Sequence, residues 1–126
     1  MPETESVLAA RLAYLELPVG DIEGSITFFA AAFGWDITRF APSYAGTVGQ
    51  GTDLGLDGDP QQAGSAPLAG IEVSDLEVAL AAVVEAGGVV TRSIFAFPGG
   101  RRFHFREPSG NELSVFIYEQ NGGGAG

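Results

Sequence analysis

Few residues in this chain can do chemistry near neutral pH. Its 126 residues include one histidine, no cysteine and no lysine. Disulfides, thiolate chemistry, cysteine-ligated zinc or iron–sulfur sites, a lysine Schiff base and a P-loop are thereby excluded together. The one histidine, His104, stands between Arg102 and Arg106 in RRFHFRE. Read as a strand, this segment puts all three on one face, because successive side chains alternate. An imidazole with an ordinary pKa of about 6.5 can shuttle a proton, and a guanidinium on either side can hold a carboxylate or enolate oxygen through paired hydrogen bonds. The same residues also admit a plainer reading. The histidine then only hydrogen-bonds a neighbour or a ligand, and the arginines sit at a rim paired with surface glutamates. No nucleophile constellation is present, since there is no GxSxG and the serines lack a second histidine around them.

Neighbouring segments sort by the same parity. In the first strand Leu15, Leu17 and Val19 oppose Tyr14, Glu16 and Pro18. In RRFHFRE, Phe103 and Phe105 oppose Arg102, His104 and Arg106. In NELSVFIYE, Leu113, Val115 and Ile117 oppose Glu112, Ser114, Phe116 and Tyr118. The apolar faces must meet helices, and burying each such side chain contributes roughly 1.5–3 kcal/mol. On the second face Tyr14, Glu16, Arg102, His104, Ser114 and Phe116 are the candidate ligand-binding residues, because rings beside a few polar groups line most small-molecule sites. An ordinary sheet with one wet side would show the same alternation.

The elements that position these residues come from a duplication. LPVGDIEGSITFFAAAFG from Leu17 and IEVSDLEVALAAVVEAG from Ile71 align at an offset of 54 residues, with Leu17, Val19, Asp21, Ile22 and Ile26 matching Ile71, Val73, Asp75, Leu76 and Leu80. Each copy runs from a short strand into an aspartate suited to cap a helix, with a glutamate two positions on where the helix dipole favours it. Ile22, Ile26, Phe29 and Phe33 make one apolar stripe, and Leu76, Leu80, Val83 and Val84 nearly repeat it. Gly34 and Gly87 suit left-handed termini. About three strands follow each helix, so the chain reads as two βαβββ modules in tandem. Trp35 is expected to pack against Phe33 and Phe40.

Composition bounds the rest. The chain is one domain by length, spanning about residues 8–120, with modules near 8–57 and 66–120. The connection DGDPQQAGSAP reads as exposed, YAGTVGQG as a glycine-rich stretch without a firm assignment, and 121–126 as a disordered tail. No apolar run reaches the length of a membrane span and the N-terminal segment is acidic and polar, so a cytoplasmic protein is expected. A net charge of −10 at pH 7 argues against nucleic acid or anionic lipid as a partner. A small-molecule ligand or another protein is expected instead.

LPVGDIEGSITFFAAAFGW, IEVSDLEVALAAVVEAGG and FHFREPSGNELSVF together resemble the vicinal oxygen chelate superfamily, which contains glyoxalase I, extradiol dioxygenases and bleomycin-resistance proteins. The resemblance runs from about Arg11 to Glu119, with EPSGNE standing where the family has DPxGN and Glu107 in place of its aspartate. It implies an α+β fold in which mixed sheets curve into a cup with the helices outside, and a homodimer that covers sheet edges. Trp35 or Tyr44 could then close over the mouth of the cup. Catalytic members place four metal ligands, mainly His and Glu, one in each of four strands. The matching positions here are Tyr14, Gly55, Leu68 (or Ala69 with a one-residue slip) and Ser114, so no metal and no cofactor is expected. Two functions follow from these readings. One is a metal-independent small-molecule-binding protein of the antibiotic-sequestering kind, taking an aromatic or antibiotic-like compound. The other is a metal-free isomerase or lyase acting on a small oxo-acid or ketone, with His104 as general base and an arginine holding the oxyanion.

Overall fold

The structure, a computed structural model, describes residues 8–61 and 64–119; the tail expected to be disordered lies outside them. Ten elements follow one another: β1 (Ala10–Pro18), α1 (Ile22–Phe33), β2 (Thr38–Ala41), β3 (Tyr44–Gly46), β4 (Asp53–Asp57), β5 (Leu68–Val73), α2 (Leu76–Glu85), β6 (Val89–Phe97), β7 (Gly100–Arg106) and β8 (Glu112–Tyr118). This is the βαβββ order twice over, in an α+β fold. The chain forms two compact units, one from Ala13 to Ala69 and one from Gly70 onward together with the residues up to Leu12.

In the first unit the strand order is β2-β3-β4-β1. β4 runs parallel to β1 and antiparallel to β3. Asp21 caps α1 by accepting from the Gly24 N–H at 2.9 Å, and Gly34 ends the helix at φ 72° in the left-handed region that favours glycine. The register partners Ala45 and Leu56 are both fully buried in the core of this unit. α1 itself buries none of its residues completely. Trp35 stacks on Phe29 at 5.7 Å between ring centres and lies 5.2 Å from Phe33, whereas Phe40 pairs with Tyr44. The expected Trp35–Phe40 contact is therefore corrected: Phe40 belongs to β2 and turns toward the adjacent strand.

The second unit has the order β5-β8-β7-β6, with β6, β7 and β8 antiparallel. Asp75 caps α2 through the Val78 N–H at 3.0 Å. The core is Val73, Leu76, Ala79, Phe103, Phe105 and Val115, with Leu113 and Ile117 packed against it, and its members on β7 and β8 are the apolar parity set read from those strands. Arg101, on the same side of β7, joins Glu77 at the start of α2 to Glu119 after β8 at 2.5 and 2.7 Å. Ala9 and Ser74 exchange two hydrogen bonds and Arg11 pairs with Glu72 at 3.0 Å, which ties the beginning of β1 to this unit. Between β7 and β8, Glu107 holds the turn: its carboxylate accepts from the Ser109 and Asn111 N–H groups and the Asn111 side chain, and these donors hold it below the usual carboxylate range.

Candidate functional site

In the second unit, the face of β6–β8 turned away from α2 is organised in three rows. The register sets Arg92, His104 and Ser114 side by side, then Phe95, Arg102 and Phe116, then Phe97, Gly100 and Tyr118. Four of the six expected site residues, Arg102, His104, Ser114 and Phe116, thus come together here. His104, Ser114 and Phe116 are buried, His104 being 9% exposed. Rings gather on this face: Phe95 meets His104 edge-on at 5.6 Å, and Phe97 reaches Phe116 and Tyr118 at 6.5 and 6.4 Å. At 100 only glycine fits, since a Cβ would run into the Ile117 carbonyl.

Arg92, Phe95, Phe97 and Glu112 belong to this site and were missed as site residues. Phe95 and Phe97 alternate legibly in SIFAF. Arg92 does not, because β6 is irregular between Val90 and Arg92 and again between Arg92 and Phe95. Each shift moves the side chains by one place, so residues of opposite parity end on one face. Arg92 then lays its guanidinium on the Phe95 ring at 3.6 Å, with Arg102 5.0 Å from the same ring. Of the two arginines expected to flank His104, Arg106 takes the rim: it is exposed and its Nη2 lies 3.9 Å from Glu112.

Glu112 organises the histidine. Its Oε2 accepts from the Thr91 hydroxyl at 2.9 Å and stands 3.5 Å from His104 Nδ1. Burial, with the Arg102 and Arg92 charges against only Glu112 in favour, pushes the imidazole pKa below its usual value, so the ring is neutral at pH 7. A neutral ring facing a carboxylate with Nδ1 carries its proton there and leaves Nε2 as the acceptor. Nε2 is buried and has no hydrogen-bond partner among the described residues. A buried lone pair of this kind is costly unless something supplies a donor.

The other two expected residues, Tyr14 and Glu16, lie in the first unit, on the parity opposite Leu15 and Leu17. Glu16 is buried and registers with Gly55, which registers in turn with Gly46. The missing Gly55 side chain has a structural reason: its space is filled by the hydroxyls of Tyr14 and Tyr44, which converge there from β1 and β3. Tyr44, noted in the sequence only within a glycine-rich stretch, is thereby placed beside Tyr14.

A profile of the "Glyoxalase/Bleomycin resistance protein/Dioxygenase superfamily" matches residues 11–115. The chain belongs to this superfamily. Among proteins of curated function none matches the sequence. Solved structures that resemble this superfamily member share its fold at low identity. The structure named as an NAD-dependent benzaldehyde dehydrogenase from Legionella pneumophila has a TM-score of 0.71 at 14% identity, covering 84% of this chain and 98% of that one. A glyoxalase/bleomycin resistance protein/dioxygenase superfamily member from Vibrio splendidus 12B01 has 0.65 at 20%, covering 88% and 100%. Methylmalonyl-CoA epimerase from Mycobacterium tuberculosis has 0.69 at 12%, covering 86% and 88%.

The metal that the superfamily implies does not fit this donor set. Tyr14, Gly55, Leu68 and Ser114, which the sequence resemblance matches to its ligands, offer no histidine and no carboxylate, and the space beside Gly55 is taken by two phenol oxygens. Among the described residues no three His, Cys, Asp or Glu side chains come close enough to hold an ion. No step is derived through a metal here.

Proposed function

We propose that this superfamily member is a metal-independent small-molecule-binding protein that takes an aromatic or antibiotic-like compound on the face of β6–β8 turned away from α2. The observation that supports the reading most directly is His104: a neutral imidazole, oriented by Glu112, that keeps a buried acceptor nitrogen without a partner among rings. An aromatic ligand with an O–H or N–H donor would satisfy that nitrogen and stack among Phe97, Phe116 and Tyr118. The reading includes a cytoplasmic homodimer that does not act on nucleic acid or membranes, consistent with the net charge of −10 and with described helices too short or too polar to cross a bilayer. Native mass spectrometry of protein purified without chelator, followed by titration calorimetry of any co-purified compound, tests it. Stoichiometric binding lost in His104→Ala or Phe116→Ala supports the proposal, and binding indifferent to both variants refutes it.

The Glu112–His104 arrangement also favours a second reading, a metal-free isomerase or lyase on a small oxo-acid or ketone. Nε2 would take a proton from the carbon beside a carbonyl, the enolate oxygen would rest on a guanidinium, and the imidazolium would return the proton to the same carbon or to a leaving group. Deuterium exchange into such substrates in D2O, absent in His104→Ala, distinguishes this from simple binding.

A further inference from the structure

Where β6 passes His104, one of its residues is surplus to the pairing. Val90 stands opposite Phe105 and Arg92 opposite His104, which leaves Thr91 without an opposite number on β7. Two residues of a bulged strand then face one of its neighbour, and the displaced side chain is re-aimed. Thr91 uses this freedom to reach beyond β7: its hydroxyl donates to Glu112 Oε2, on β8, at 2.9 Å. The same oxygen stands 3.5 Å from His104 Nδ1. A hydroxyl, a carboxylate and an imidazole from three strands thus form one chain. It ends at Nε2, which is buried and has no hydrogen-bond partner among the described residues.

Glu112 needs such a hold. Its side chain is 40% exposed, and a glutamate kept in one rotamer beside water gives up conformational freedom. Arg106 approaches its other oxygen only to 3.9 Å, beyond hydrogen-bond length. The Thr91 bond, made to a charged acceptor, is of the stronger kind. What it fixes is the tautomer of the histidine, since a neutral imidazole carries its proton on whichever nitrogen faces an acceptor. Resting on the binding reading above, we propose that Thr91 is the positioning residue of this site: by holding Glu112 it keeps the His104 proton on Nδ1, and the site thereby selects aromatic ligands that bring a hydrogen-bond donor. A ligand of similar shape without a donor leaves the buried Nε2 unsatisfied, which is the costly case. With the proton on Nε2 the preference would turn toward ligands that present an acceptor.

His104 is the one histidine of the chain, so protein labelled with 15N-histidine gives the NMR signals of this imidazole alone. At pH 7 Nδ1 should show the shift of a protonated ring nitrogen and Nε2 that of a bare one. Thr91→Val should move part of the proton population to Nε2, and Thr91→Ser, which keeps the hydroxyl, should restore the original pattern. In titration calorimetry on the full-length protein, phenol should bind about tenfold tighter than anisole, which carries the oxygen without the proton. In Thr91→Val that ratio should shrink toward one through weaker phenol binding, with circular dichroism checking the fold. An unchanged tautomer in Thr91→Val overturns the hold of Thr91 on the histidine, and an unchanged ratio overturns its part in selection; both results leave the binding reading standing. Anisole binding as tightly as phenol to the unaltered protein overturns the donor selection. If neither compound binds, the donor selection falls together with the binding reading, and the tautomer alone decides the role of Thr91.

Discussion

Replacing Gly55 with alanine tests the claim that two tyrosine hydroxyls occupy its side-chain space. A Cβ built there overlaps the Tyr14 and Tyr44 hydroxyls. Gly55 is not among the glycines with positive φ, so alanine meets no backbone strain. On the unfolded side the substitution is favourable by about 0.4–1 kcal/mol, through reduced chain entropy. Against that, forcing a methyl into a filled, buried place costs about 1–3 kcal/mol. The atoms in the way are ends of side chains, which can swing, and this favours the lower half of the range. The net expectation for Gly55→Ala is a loss of about 0–1.6 kcal/mol. Tyr44→Phe removes one of the two hydroxyls from that space and is measured alongside. In the double variant one of the two overlapping hydroxyls is gone and that of Tyr14 stays, so the methyl's cost is relieved in part and the two losses should fall short of their sum by more than about 0.5 kcal/mol, as for residues in contact. Urea unfolding followed by fluorescence gives the four stabilities, with equal m-values required for the comparison. If the losses add to within about 0.5 kcal/mol, the Tyr44 hydroxyl does not occupy that space.

The remaining expectations concern the histidine and the core. His104 has a folded pKa below its unfolded value of about 6.5. The unfolded chain therefore binds the proton first, and stability falls as pH drops from about 6.5 through the folded pKa. His104→Gln should flatten that part of the stability profile while leaving the carboxylate transition at lower pH. Glu112→Gln removes the charge that opposes burial, Arg102 and Arg92 at the imidazole, so the His104 pKa measured by NMR should fall further. Leu76→Ala, at a fully buried position, should lose about 2–5 kcal/mol in urea unfolding. Asp75→Ala, which removes the α2 cap, should lose about 1 kcal/mol in the same assay.

The duplicated strand–helix grammar and the face parity were legible because each rests on local rules. Asp21 and Asp75 cap as their positions demand, and Phe103, Phe105 and Val115 turn to α2 as alternation requires. What was illegible depends on departures from those rules. Arg92 escaped because two register shifts break the parity of β6. The role of Tyr44 is invisible in YAGTVGQG, since nothing local says that its hydroxyl ends over Gly55, eleven residues on. The ambiguity between a ligand-holding and a rim arginine at 102 and 106 could not be decided from spacing. It resolved unevenly, Arg102 over Phe95 and Phe97 and Arg106 toward Glu112.

The two units share a grammar and diverge in the chemistry of their second faces. In the first, the carboxylates near Tyr14 and Tyr44 in register are committed to turns: Asp53 accepts from the Thr47 hydroxyl and the Gly49 and Gln50 N–H groups, and Asp57 from the Asp59 N–H. In the second, arginines line the face and one carboxylate, Glu112, is held by Thr91 beside the histidine. The divergence sits in side chains that the shared backbone leaves free to vary, which is why the duplicated grammar predicts the fold of both units and the chemistry of neither.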